Sequence, residues 1–237
     1  TSFFYSMNLE VKVYQKENNK GFFKHLKESF KDVFSSLFLA RQLAVRDIRS
    51  QYRQSLLGVF WAFITPLATA LVWIVLNLSG TVQLSDTGIP YPIYAFSGTL
   101  LWSILSEAIK SPLMNTNASK SVLSKINIPK EALILSGIYK LLFNSYTKII
   151  LVFIFLLIFG VPITYKILLF PFALFGLLLF GTAIGLFLTP IGMLYKDIQR
   201  LIPITMSFLM YATPVVYAIP KEGIMKPIME YNPLTPL

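Results

Sequence analysis

The chain has 237 residues, of which 55% are hydrophobic and only 14% charged, with a mean hydropathy of +0.64; such proportions exclude an ordinary soluble domain and make a bilayer part of the solvent. The formal net charge of +10 points to anionic headgroups rather than nucleic acid, because most of the excess lies between residues 12 and 53, beside the first apolar block. The chain has no cysteine, which excludes disulfides and thiolate metal sites, and its single histidine, His25, argues against an imidazole-based metal centre.

Residues 1–21 read as an N-terminal tail or cloning scar, and the first long apolar run begins only near Leu56, so no signal peptide is assigned. From Phe22 to Tyr52 the pattern is amphipathic. Phe22, Leu26, Phe30, Val33, Phe34 and Leu37 recur at helical spacing, with Lys24, Lys27, Glu28, Lys31 and Asp32 between them. A helix of this kind lies in the headgroup plane or packs on another protein. The basic stretch Arg41 to Arg53 then runs into the first apolar block, where a solvated stop-transfer cluster is the simplest account of its arginines.

Five apolar blocks follow, at 56–78, 91–109, 132–159, 167–194 and 201–219. Each approaches or exceeds the ~20 residues that a helix needs to cross ~30 Å of hydrocarbon. If the segment before the first block is cytoplasmic, the inside pieces carry 16 Lys and Arg and the outside pieces 3, which sets the N-terminus in the cytoplasm and predicts a multi-pass protein of the cytoplasmic membrane.

The connection 110–131 reads as a cytoplasmic loop holding a short helix, capped by Asn117 or Ser119 and ended by Pro129, too short to stand without docking. Glu107, Lys140 and Lys148 lie within or at the edges of spans, where pairing or water contact is required. Glu107 and Lys140 lie toward the cytoplasmic ends of consecutive blocks and could pair, with Lys148 deeper; structural pairing is preferred to an ion relay. In the fourth block, Gly181 and Gly185 predict close helix packing, within one subunit or across a dimer. Pro66 interrupts the first block, and Pro203 and Pro214 the fifth, which marks kinks or the border of a cavity. Residues 220–237 read as an external re-entrant or short helical segment.

No Gly-rich phosphate loop followed by Lys-Ser/Thr is present, and the eleven acidic residues are scattered rather than paired for Mg²⁺. Catalysis by this chain is therefore not expected. Aromatic residues make up 15% of the chain. Most are assigned to interfacial belts and packing, and a minority to a route for sugars, whose C–H faces match aromatic rings.

The stretch Arg46-Asp47-Ile48-Arg49-Ser50-Gln51-Tyr52-Arg53-Gln54-Ser55-Leu56-Leu57-Gly58, with Phe60-Trp61-Ala62 and Thr65-Pro66-Leu67, resembles the approach to the first span in polysaccharide-exporting ABC transporter permeases. Further matches are Lys125 with Ile128-Pro129-Lys130-Glu131, Tyr195-Lys196-Asp197-Ile198, Thr213-Pro214-Val215-Val216-Tyr217 and Asn232-Pro233-Leu234. They occur in order across residues 41–234, nearly the whole chain.

The resemblance implies an all-α polytopic fold of six spans, with an N-terminal interface helix at 22–55, a cytoplasmic coupling helix within 110–131 and short external helices; the sixth span would lie beyond Leu237. It further implies a homodimer bound to a separate ABC ATPase that holds ATP and Mg²⁺, with no cofactor in this chain, exporting a lipid-linked glycan of O-antigen, teichoic acid or capsule type. Asn115, Asn117, Ser119, Leu123, Ile126 and Ile128 would then couple to the ATPase. Arg46, Asp47, Arg49 and Arg53 would belong to the interface helix, among membrane lipids. Phe60, Trp61, Tyr211 and Tyr217 would line the pore. Alternatives are an ABC permease for drugs or another lipid, a membrane enzyme acting on polyprenyl-linked substrates, and an ion-coupled carrier.

Overall fold

The structure is a computed structural model in which residues 22–53, 58–80, 90–123, 129–162, 164–217, 219, 222–232 and 234–235 are described. All regular structure among these residues is helical. The helices are α1 (Phe22–Arg53), α2 (Trp61–Leu78), α3 (Tyr91–Leu123), α4 (Lys130–Ile158), α5 (Phe170–Leu194), α6 (Lys196–Tyr211) and α7 (Met225–Glu230), with 3-10 turns at Gly58–Phe60 and Tyr165–Leu169.

On α1 the buried stripe is Ser36, Ala40, Leu43 and Ala44, and Leu43 packs on Ala132 and Leu133 at the start of α4. Small side chains let the two helices approach. Phe34 and Phe38 stay 70% and 75% exposed. The face that sequence periodicity marks as apolar is thus partly turned outward, which suits a helix lying against lipid. Gly58, at φ +47°, turns the chain from α1 toward α2 in a conformation that favours glycine.

α3 is the hub and packs against α2, α4, α5 and α6. Its core-facing side chains include Trp102, Ile104, Leu105, Ala108, Ile109 and Leu113. α5 lays a stripe of small residues on it. A Cβ at Gly181 would come within 2.7 Å of the Ala108 side chain, one at Gly185 would strike the Ile109 carbonyl and the Pro112 ring, and one at Gly192 would meet Leu113 at 2.5 Å. The glycines of the fourth block therefore make a close contact inside one subunit.

Three expectations need correction. The second block does not end before a separate docked helix: α3 continues through Pro112 to Leu123 as one 33-residue helix. Proline is tolerated in that interior because α5 packs closely against it, with Gly185 set over the Pro112 ring. The fifth block is not helical throughout, since α6 ends at Tyr211 and residues 212–217 turn away from the helix axis. Thr213 precedes Pro214, which disfavours the α conformation there. Finally, Glu107 pairs with Lys148, and Lys140 with Asp47.

The segment 212–217 is well tied down. Tyr91 Oη donates to the Val216 carbonyl and Tyr94 Oη to the Pro214 carbonyl, both at 3.0 Å. A Cβ at Gly98 would collide with the Val215 carbonyl, so glycine there lets α3 lie directly under this backbone. Asn232 Nδ2 donates to the Ala212 carbonyl and the Thr213 hydroxyl, each at 2.9 Å. Two sequence blocks nearly twenty residues apart thus meet, and they satisfy backbone groups that have no helical partner.

Large apolar side chains cover the outside, among them Val72 and Val75 on α2, Leu157 and Ile158 on α4, and Phe172 and Phe187 on α5. Such a surface is matched by lipid rather than water. Glu131–Ile158 and Ile167–Leu194 are long and apolar enough to cross a membrane, and Phe63–Leu78 is a shorter apolar helix. On length and composition, and among the described residues, two of the five expected spans are met in full.

Candidate functional site

Beneath the apolar outside, α2, α3 and α4 turn polar faces toward a cavity of about 740 Å³, which α6 closes with the largely apolar Pro203, Met206, Ser207, Met210 and Tyr211. α2 contributes Trp61, Thr65 and Thr69, which stand on one face because they are spaced four apart. α3 adds Thr99, Ser103, Ser106, Glu107 and Lys110, again one helical stripe. The hydroxyls are held by their own helices: Thr69 Oγ1 donates to the Thr65 carbonyl at 3.1 Å and Ser103 Oγ to the Leu100 carbonyl at 2.8 Å. Their oxygens keep lone pairs for a guest or water.

α4 supplies the charged wall. Lys148 Nζ lies 2.8 Å from Glu107 Oε2, and the Asn144 amide donates to the other carboxylate oxygen. Lys148 is only 8% exposed in its side chain, so the carboxylate and the cavity are what make its charge tolerable in this setting. Lys140, two turns earlier on α4, reaches out instead to Asp47 of α1 at 3.1 Å, while Arg46 contacts the other oxygen of the same carboxylate at 2.8 Å. Burial pushes the Asp47 carboxyl up, but the hydrogen bonds and charges of Arg46 and Lys140 outweigh it and hold its pKa below the usual carboxylate value.

Of the four aromatic pore candidates, Trp61 and Tyr211 line the cavity. Phe60 lies outside the lining set, 67% exposed and edge-on to Phe63 with ring centroids 6.3 Å apart. Tyr217 is joined to the site indirectly: its hydroxyl donates to the Tyr211 carbonyl, and both rings flank Trp73, at 6.0 and 6.2 Å. Trp73 lies twelve residues beyond Trp61 on α2, or roughly 18 Å along the axis, so aromatic rings stand toward both ends of the cavity.

Asn115, Asn117 and Ser119 occupy the last turns of α3. Asn115 Nδ2 donates to Ser111 Oγ at 2.9 Å beside Gly137 of α4, and Asn117 Nδ2 to Gln199 Oε1 of α6 at 3.4 Å. The Leu123 side chain, Ile126 and Ile128 lie outside the described residues. On α1, Arg46, Arg49 and Arg53 share an exposed face with Gln42 and Ser50.

Sequence reasoning missed Trp73, Trp102 and the hydroxyl stripes. The four-residue spacing of Thr65 with Thr69, and of Thr99 with Ser103, inside apolar blocks is the signal that would have found the stripes.

Residues 39–237 match the ABC-2 type transporter family. The chain is 26% identical over 198 residues to an O-antigen export system permease protein RfbA of Myxococcus xanthus, covering 82% of this chain and 75% of that one. It is 22% identical over 194 residues to a protein of the same name from Klebsiella pneumoniae, covering 80% and 73%. With the family match extending over most of its length and polar faces turned inward beneath a lipid-like exterior, the chain is a membrane permease component of a transporter rather than an enzyme in itself, and it belongs to the ABC-2 type transporter family.

Proposed function

We propose that this chain is the membrane-spanning permease subunit of an ATP-driven exporter of lipid-linked polysaccharide, acting as two copies with a separate ATPase that binds ATP and Mg²⁺. The observation that carries the reading is the hydroxyl- and aromatic-lined cavity within an otherwise apolar helical body. Hydroxyls, an amide and an ion pair inside a membrane protein are stable when they face water or a polar guest. Rings that touch sugar C–H faces bind weakly and repeatedly, which suits a moving polymer. The O-antigen export relatives support a glycan as that guest.

In this reading the N-terminus lies in the cytoplasm and the chain in the cytoplasmic membrane. Arg46, Arg49 and Arg53 of α1 meet anionic headgroups. The end of α3 with Asn115, Asn117 and Ser119, and the following Leu123, Ile126 and Ile128, faces the ATPase. Trp61 and Tyr211 border the glycan path.

Trp61→Ala and Tyr211→Ala are expected to lower surface glycan several-fold while the amount of permease–ATPase complex stays unchanged. Both quantities are measured in the same cells. Undiminished export in both variants would take these rings off the path, and export of a drug or other lipid with no effect on glycan would replace the substrate class.

A further inference from the structure

A second cavity, of about 750 Å³, lies between the C-terminal half of α3 and the junction of α5 with α6. Its lining carries three cations: Lys110 from α3, and Lys196 and Arg200 from the start of α6. The amides of Asn117 and Gln199 lie in the same wall, and no carboxylate is among the lining side chains. Asp197, on the same turn of α6, is exposed and outside the lining. Glu107, one turn before Lys110, is already engaged by Lys148 and Asn144. Among the described residues three positive groups thus share a concavity whose walls hold no carboxylate, while the charge of Glu107, just outside it, also acts on Lys110.

Like charges gathered around a low-dielectric groove raise the local concentration of anions and favour their capture. A guanidinium beside two ammonium groups matches a group presenting several anionic oxygens, as a phosphate does, better than it matches a single carboxylate. Lys110 and Pro203 also line the first cavity, so the two spaces adjoin at that point. The rim is apolar: Met114 and Met193 are 51% and 40% exposed, and Ile191 and Leu194 continue an exposed apolar face along α5. A charged head in the groove would therefore leave room for a hydrocarbon tail on the lipid-facing side.

We propose that Lys110, Lys196 and Arg200 form a binding site for the phosphate-bearing headgroup of a lipid, beside the main cavity. The proposal rests on the export reading and deepens it, because it assigns the charged end of a lipid-linked substrate to named residues. A diphosphate carrier lipid and an ordinary anionic phospholipid share the required chemistry.

The test uses the full-length permease with its ATPase in nanodiscs of phosphatidylcholine and measures binding of radiolabelled farnesyl diphosphate, with phosphatidic acid and farnesol as competitors. Lys110→Gln, Lys196→Gln and Arg200→Gln should each weaken binding roughly tenfold, and the triple variant further. Lys110→Arg should retain it, which separates loss of charge from loss of fold, and Lys226→Gln on α7 should leave it unchanged. Stronger competition by unlabelled farnesyl diphosphate than by phosphatidic acid assigns the site to a diphosphate carrier; equal competition supports the site and assigns it to ordinary phospholipid. Wild-type affinity in the triple variant overturns the proposal, as does equal competition by farnesol. Loss of ATPase co-purification with undiminished diphosphate binding also overturns it, giving the cations to the partner's surface. A charge-dependent site in a permease whose deletion leaves surface glycan unchanged would sink the export reading while the site stands.

Discussion

Removing the carboxylate of Glu107 should damage the protein more than removing the whole ion pair. Lys148 is 8% exposed and Glu107 29%, with 2.8 Å between the charged atoms, so Glu107→Gln leaves an ammonium group in a nearly closed setting with only an amide opposite. Losing one partner of a fully buried pair costs about 3–5 kcal/mol. Here Glu107 borders a cavity and is screened on that side, which trims the expected loss to about 2–3 kcal/mol. Replacing both partners, as Glu107→Gln with Lys148→Met, removes the orphaned charge and should recover at least half of that loss. For a chain of this length each kcal/mol corresponds to roughly 2–4 °C in Tm. The single variant should therefore melt roughly 5–10 °C below the parent in detergent, with the double variant between them. A complete double-mutant cycle in which the two substitutions add without coupling would refute the reasoning.

Gly185→Ala should cost about 2–3 kcal/mol because its Cβ meets the Ile109 backbone, whereas Gly176→Ala, with open space around it, should be tolerated; equal yields of folded protein from the two would remove the α3–α5 contact as the reason for the glycine. Cysteines introduced at Ser85 and Ser119 should differ toward an impermeant thiol reagent, with only the first labelled in intact cells, and the reverse pattern would invert the orientation. The Asp47 carboxyl has a pKa lowered from 3.8, so its link to Lys140 is fully present above the ordinary carboxylate range and is lost as pH falls through the lower folded value. Asp47→Asn should accordingly flatten the stability profile below about pH 4, and a variant that keeps the parental acid limb would show that other carboxylates dominate it.

The all-helical character was legible because long apolar blocks with few turn residues leave little alternative, and the small-residue spacing of Gly181 and Gly185 gave the packed face of α5 directly. What the sequence concealed was set by contacts between distant segments. The pairing of Glu107 depends on which turn of α4 lies opposite it, and hydropathy says nothing about that registry; Lys140 and Lys148 differ by eight residues, about 12 Å along the axis. Trp73 goes unassigned among the aromatic residues of the sequence because its partners, Tyr211 and Tyr217, lie well over a hundred residues away. The continuation of α3 past Ile109 escaped notice because a polar run after an apolar block looks like a loop, and only the packing of α5 against Pro112 makes a helix there sustainable. Of the aromatic residues that the resemblance placed on the pore, Trp61 and Tyr211 line the cavity and Phe60 does not.

The unbroken α3 has a mechanical meaning. Its 33 residues form a strut about 50 Å long, bonded near one end to the start of α6 through Asn117 and at the other to the backbone of residues 214–216 through Tyr91 and Tyr94. The point where such a strut would buckle is Pro112, where a ladder hydrogen bond is missing. That point is splinted, since α5 sets Gly185 against it and lets the two backbones close up. A thrust delivered to the polar end therefore arrives at the far turn as displacement rather than being absorbed in a bend, and the two ends move as parts of one lever.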